Sequence, residues 1–380
     1  MHPSHCVSLL EKLITFPTVS NRPVTELAAF VASYLEDLGF QIRLDVDPKD
    51  SSKLNVIANA GPHKEGGLIL SGHMDVVPTE GQPWTTDPFK LTEKEGKLFG
   101  RGTADMKGFI ASVLSSLKEF PVKNLKEPLM LIFTHDEEVG CKGSHRLGQT
   151  LKQYPTFVPK EAIIGEPTDF QILRMHSGHV TLKITTQGQA AHSSKPDLGA
   201  SAIKAMGLVL NLLSALENDL KKERRLEEEL ERPYVTLNTG MIHGGQAINI
   251  VPDHCELFVG YRPLPGDDSL ALFRRLESRI QELVFETSIR CQTELMNVTP
   301  ALLTPKSIPL ENTLRPHASC SHVGAASFAT DAGNLANAGI QSLIFGPGSI
   351  DVAHKANEFI EAADLVKSTQ IITEICKKLL

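Results

Sequence analysis

Residues 128–144 read PLMLIFTHDEEVGCKGS. Leu129 to Phe133 form a short, unbroken apolar run, the pattern of a strand buried on both faces. The chain then turns at once to Asp136, Glu137 and Glu138. Like charges repel, and a carboxylate is costly to bury without a partner. The segment is therefore either a solvated acidic loop or a place where a cation sits. Similar runs recur as GGLILSGHMDVVP (66–78), EAIIGEPT (161–168) and QSLIFGPG (341–348), and QIRLDV and LNVIANA read as further strands. Helical spacing lies between them: VTELAAFVASYLEDL (24–38) stops at Gly39, and GFIASVLSSLKEF (108–120) stops at Pro121. Residues 144–153, GAASFATDAGNLANAG (324–339) and EAADLVKSTQIITEICKKLL (361–380) also read as helices. This alternation predicts an α/β layer with a mostly parallel sheet, whose ligands gather at the carboxyl ends of the strands.

From about residue 176 the pattern changes. GHVTLKITTQG reads as a half-buried strand, and 199–230 as one long helix with a charged end. YVTLNTGMIHGG and HCELFVGYRPLPG read as a strand pair. DSLALFRRLESRIQELV is a second helix capped by Asp267 or Asp268, and SIRCQTELMNVTPAL a fourth strand. The order βαββαβ is that of a ferredoxin-like α+β domain. The expected organisation is an α/β domain of residues 1–175 and 303–380, interrupted by an inserted domain of 176–302. The mixed charges of KKERRLEEELER (221–232) read as a solvated helix end.

The chain has 380 residues, 41% hydrophobic and 22% charged, which is ordinary for a globular protein of two domains. A net charge of −7 argues against nucleic acid or an anionic membrane as the main partner. MHPSHCVSLLEKLITFPTVS has no basic leader and no long apolar core, and reads as an amphipathic helix rather than a signal peptide. No window reaches the roughly 18 apolar residues of a membrane span. Six cysteines scattered without CxxC pairs are expected to be thiols in a reducing cytoplasm.

Several polar residues fall at the predicted strand ends. His73 and Asp75 are two apart, so on an extended backbone they share a face. A carboxylate there can hold one ring nitrogen and leave the other for a metal. In LFGRGTADMKGFIAS, glycines flank Asp105 where a loop enters a helix. Glu166 follows IIG, and His354 follows the glycine-proline loop of IFGPGSIDVAHKANEFI. Each taken singly fits an ordinary loop or cap. Together, two imidazoles and several carboxylates with no cysteine suit a pair of divalent ions, zinc being the usual choice.

SGHMDVVP, GRGTADMKG, THDEEVGCKGS, GEPT, GQAAHSS and GPGSIDVAHKANEF, in that order, resemble the motif set of the acetylornithine deacetylase / succinyl-diaminopimelate desuccinylase family of two-zinc amidohydrolases and peptidases. The resemblance spans roughly residues 70 to 360. It implies that Asp105 bridges two metals, with His73 and Glu166 completing one site and Glu138 and His354 the other. Asp75 would orient His73, Glu137 would act as general base, and a cis peptide would follow Asp105. His192 would help to hold the oxyanion across a homodimer interface made by the inserted lid domain. Arg262 would grip the substrate carboxylate, with Asn249 nearby. Asp331 or Asp351 would face a terminal ammonium, and Gly346 and Gly348 would let the substrate lie against the backbone. The resemblance favours hydrolysis of N2-acetyl-L-ornithine by two zinc ions, with cobalt able to substitute. Other N-acyl amino acids, dipeptides and a catalytically silent zinc scaffold are the alternatives.

Overall fold

Four of the apolar runs become parallel neighbours in the computed structural model, which describes residues 3–20, 22–154, 158–223, 229–284 and 289–379. The strands β1 (Gln41–Val46), β2 (Leu54–Ala60), β3 (Leu68–His73), β4 (Leu129–Thr134), β5 (Glu161–Ile164) and β6 (Gln341–Ile344) stand in the order β1-β2-β4-β3-β5-β6. β3 pairs parallel with both β4 and β5, and β5 with β6. β1 and β2 join antiparallel at the β4 edge. Every residue of β3 and β4 is buried, so neither strand has a wet face to alternate with.

Helices supply that cover. Thr25–Asp37 buries Leu27, Val31 and Leu35 at helical spacing, and Gly39 follows its end with φ of +93°. Lys107–Ser116 is buried along its whole length and lies against the helices Pro3–Ile14 and Ala362–Lys377. That helix presses closely on the sheet end. A Cβ on Gly165, just past β5, would fall 2.0 Å from Phe109 Cγ. One feature without a sequence signal is a small sheet in which the hairpin Thr92–Lys94 and Lys97–Phe99 pairs with Phe359–Glu361.

The chain packs as two units. One contains residues 1–175, 303–326 and 330–380, and the other residues 176–302 with 327–329. The second unit has the order βαββαβ. Its strands His179–Gln187, Thr236–Gly244, His254–Arg262 and Arg290–Thr299 form an antiparallel sheet with the first strand between the third and fourth. Its helices Ala202–Leu220 and Ala271–Val284 cover a core that includes Leu182, Ile184, Met206, Leu257 and Ile280. Ser201 Oγ caps the first helix through Lys204 N–H, and Asp268 Oδ1 accepts Leu270 N–H before the second.

Two expected helices are shorter than the sequence pattern. The helix expected to reach 230 ends at Leu220, and the part of the charged run at 224–228 lies outside the described residues. The helix expected over 324–339 is a strand, Gly324–Ala326, followed by the short helix Ala332–Asn337. Thr330 Oγ1 accepts Ala332 N–H, and Asp331 is tied by both carboxylate oxygens to other elements, which fixes the later start.

Replacing Gly165 by Ala forces its Cβ into the buried Phe109 ring, and overpacking of this kind costs about 1–3 kcal/mol. Urea denaturation should show a lower midpoint at unchanged m-value; an unshifted midpoint would contradict this packing.

Candidate metal centre

The polar residues at the strand ends converge. His73 closes β3 and is buried; its Nδ1 lies 2.9 Å from the Asp75 carbonyl oxygen and its Nε2 2.9 Å from Asp105 Oδ1. A carbonyl only accepts, so Nδ1 carries a proton and Nε2 is the nitrogen turned to the centre. The Asp75 carboxylate was expected to hold this ring. Its nearer oxygen is 3.8 Å from Nδ1, and the backbone carbonyl does the holding instead. The carboxylate accepts Ser20 Oγ–H at 2.8 Å and the backbone N–H groups of Glu137 and Glu138 at 3.0 and 3.3 Å. Asp75 thus anchors the loop after β4 to the end of β3.

That anchoring separates two adjacent glutamates. Glu138 Oε2 lies 2.9 Å from His354 Nε2, whereas Glu137 Oε1 accepts the Cys141 thiol at 3.2 Å. Asp105 stands just before the buried helix Lys107–Ser116, after Gly102 at φ +88° and before a cis bond to Met106. Its Oδ1 faces His73, and its Oδ2 is 3.2 Å from His354 Nε2. Glu166 is buried two residues beyond β5. His354, half exposed and at φ +64°, comes from the loop after β6. The ligand atoms of His73, Asp105 and Glu138 all lie within 4.8 Å of one another.

The charges here are strained by burial. Burial and the Asp105 charge push the Glu138 carboxyl up to about 7, and burial lifts Glu137 and Glu166 well above the usual carboxylate range. Hydrogen bonds to Asp105 and Glu138 push His354 up to about 10. Burial alone would lift Asp105, but His354 and His73 hold it below the ordinary range. Protein alone therefore leaves crowded carboxylates whose compensating charge is protons shared with two imidazoles. A divalent cation supplies that charge directly, and a set of imidazole nitrogens and carboxylate oxygens without thiolate fits zinc and related ions. His73, Asp105 and Glu138 bring their ligand atoms close enough to hold one, and His354 meets both Asp105 and Glu138.

Other expected site residues fall into separate groups. Asp331 is buried and accepts the hydroxyls of Thr134 and Ser144, both at 2.5 Å. Both of its oxygens are thereby turned inward. Gly346 makes its close approach to protein, since a Cβ there would sit 2.5 Å from the carbonyl oxygens of Gly165 and Glu166. Gly348 has φ +80° and Asp351 is exposed. In the second unit, Ser193 N–H donates to the Asn249 carbonyl at 3.0 Å and His192 bridges to Ile250, so His192 and Asn249 are neighbours on an exposed surface. Arg262 ends the strand His254–Arg262, opposite Thr236.

A protein-family model, peptidase family M20/M25/M40, matches residues 69–378. The chain belongs to this family. An acetylornithine deacetylase of Klebsiella pneumoniae is 35% identical over 97% of this chain and 96% of its own. An M20 metallo-carboxypeptidase of Sulfolobus solfataricus shares the fold with a TM-score of 0.77 at 18% identity, covering 98% of this chain and 99% of its own. A dinuclear metal-binding M20 peptidase of Bacillus subtilis does so at 0.70 and 15%, covering 100% and 98%. As a member of this family the chain is a hydrolase. Among the described residues no helix is long and apolar enough to cross a membrane.

Two buried ion pairs with no sequence signature support the centre. Asp136 forms a buried pair with Lys53 at 2.6 Å. Arg101 and Glu358 form another at 2.7 Å. Burial raises the Asp136 carboxyl, but His135 and Lys53 outweigh it and hold the group at about 2. A carboxyl depressed in the folded state adds stability above its unfolded pKa, and loses it as pH falls through the folded value. Lys53→Met should therefore destabilise by about 3–5 kcal/mol at pH 7, with the gap to the parent closing as pH falls from about 4 toward 2. Denaturant melts at several pH values check this, and a gap independent of pH would contradict it.

Proposed function

We propose that the protein hydrolyses N2-acetyl-L-ornithine to L-ornithine and acetate, the step that supplies ornithine for arginine biosynthesis. The observation that carries the metal-hydrolase reading is Asp105, whose two oxygens reach His73 and His354 separately. The choice of substrate is supported by the 35% identity, over nearly the whole chain, to the Klebsiella deacetylase. In this reading Asp105, His73 and Glu166 hold one divalent cation, and Asp105, Glu138 and His354 the other. Zinc is the proposed metal, with cobalt able to replace it. When bound, the cations supply Lewis acidity that lowers the pKa of water and polarises the acyl carbonyl.

Glu137 is the proposed general base. It is close to the centre yet turned away from His354, toward Cys141. One of its carboxylate oxygens takes a proton from the attacking water as the water oxygen bonds to the acyl carbon. The carbon–nitrogen bond then breaks, and Glu137 returns that proton to the leaving amine nitrogen. Burial raises this carboxyl, which suits a group that must keep a proton between the two steps. Asp75 positions Glu137 and Glu138 through their backbone amides.

The inserted unit is proposed as a lid and dimerisation domain, from which Arg262 binds the substrate carboxylate, Asn249 assists, and His192 stabilises the oxyanion of a second copy. Support for a homodimer comes from the edge strand Thr236–Gly244 and the segment after it, where Met241, Ile242 and Ile248 are 55%, 49% and 103% exposed. Asp331 or Asp351 for the substrate ammonium, the glycines 346 and 348 as backbone contacts, and a cytoplasmic setting complete the proposal.

Glu137→Gln removes the proton acceptor and leaves every proposed ligand in place. Turnover should fall by at least about 10³-fold while metal content by elemental analysis stays at the parent level, and retained turnover would dismiss Glu137 as base. A panel of N-acetylornithine, N-acetylcitrulline, N-acetylmethionine, succinyl-diaminopimelate and a dipeptide should give its highest kcat/KM with N-acetylornithine. A clear preference for any other member transfers the same chemistry to that substrate class.

A further inference from the structure

Asp105 and His354 come from loops far apart in sequence, and a chain of hydrogen bonds, buried at Arg101 and Glu358 and partly exposed at Gln82, joins their backbones. Arg101 and Glu358 are each 1% exposed at the side chain. Glu358 Oε1 accepts the consecutive backbone N–H groups of Ala104 and Asp105 at 2.9 and 3.0 Å. Its other oxygen takes Arg101 Nη1–H at 2.7 Å. Arg101 Nη2 donates to Gln82 Oε1 at 2.6 Å, and Gln82 Nε2 donates to the His354 carbonyl at 2.9 Å. Nη1 also reaches the carbonyl of Lys355, next to His354, at 3.4 Å. The path from Asp105 N–H to the His354 carbonyl is unbroken.

Neighbouring groups fix its parts. Trp84 Nε1 donates to Gln82 Oε1 at 3.1 Å, and its ring lies 5.2 Å from the Arg101 guanidinium. Gly100 N–H donates to the Glu358 carbonyl at 3.0 Å, and Phe99 pairs with Phe359, so the two loops also meet through backbone. Stability alone is a weak reason for such a pair, because an apolar pair of similar volume is often as stable. A planar guanidinium with fixed donor directions does set distance and register.

We propose that Arg101, Glu358 and Gln82 are positioning residues that set the separation of Asp105 from His354, and through it the affinity of the centre for divalent cations. The proposal rests on Asp105 and His354 being metal ligands. None of the three side chains is itself a ligand in this scheme. Gln82 is the part accessible to test, being only partly buried and outside the ion pair. Gln82→Ala removes both arms of the link. Gln82→Glu keeps an acceptor for Arg101 and removes the donor to the His354 carbonyl. Arg101→Lys keeps the charge beside Glu358 and removes the fork.

The experiment measures Zn²⁺ affinity of chelator-stripped full-length protein by competition with a chromogenic chelator, together with the thermal midpoint of the same stripped protein. Both Gln82 variants should keep the parent midpoint and bind Zn²⁺ about 10–100-fold more weakly, with Arg101→Lys weakened at least as much. Unchanged affinity in both Gln82 variants overturns the proposal, whatever the midpoint does. Parent affinity in Gln82→Glu alone overturns the arm to His354. A parent protein that binds no Zn²⁺ fails at the metal centre itself, and this proposal falls with it.

Discussion

Mutual repulsion among buried carboxylates is the constraint around which the larger unit is organised. Glu138 and Glu166 stand just past the ends of parallel strands and Asp105 just before a buried helix, in surroundings that lift the two glutamates out of the ordinary carboxylate range. Among the described residues, the imidazoles of His73 and His354 are the groups that meet these carboxylates, and they offset charge only by carrying protons. A parallel sheet directs every strand end the same way, so it gathers such residues efficiently, but it cannot neutralise them. The compensation must come from bound cations or from protons, and the donor chemistry fits cations.

The surroundings divide labour in a way that follows from the same constraint. Asp75 spends its carboxylate on Ser20 and on two backbone amides, and this turns Glu137 and Glu138 to different partners. Lys53 neutralises Asp136 and keeps that third acid out of the centre. Thr134 and Ser144 donate one hydroxyl to each oxygen of Asp331, an acid that stands beside Glu137. Each acid near the centre thus has a distinct environment, which is how neighbouring carboxylates come to play different chemical parts.

Some of this was legible in the sequence and some was not, for definable reasons. The buried strands announce themselves as unbroken apolar runs, and the βαββαβ order of the second unit follows from its alternating strands and two amphipathic helices. His73, Glu138 and His354 come from motifs at those predicted ends, and Asp105 from a glycine-flanked loop that enters a helix. The Lys53–Asp136 and Arg101–Glu358 pairs had no local signature, because they join residues 83 and 257 positions apart. The partners of the Asp75 side chain are illegible for a different reason. An HxD spacing tells which face the residues share, but not whether the backbone carbonyl or the carboxylate will reach the ring. The overlong helix at 324–339 shows the limit of composition, since side-chain bonds at Thr330 and Asp331 decide where that helix begins.

Metal stoichiometry is the most direct measure of whether cations offset the crowded acids. Elemental analysis of protein freed of unbound metal, paired with its thermal midpoint before and after chelation, reads both the number of ions and their structural weight. Close to two divalent ions per chain are expected, with a midpoint that drops on chelation and recovers on adding Zn²⁺. A protein that carries no bound metal after incubation with Zn²⁺, and melts identically with and without chelator, would contradict it.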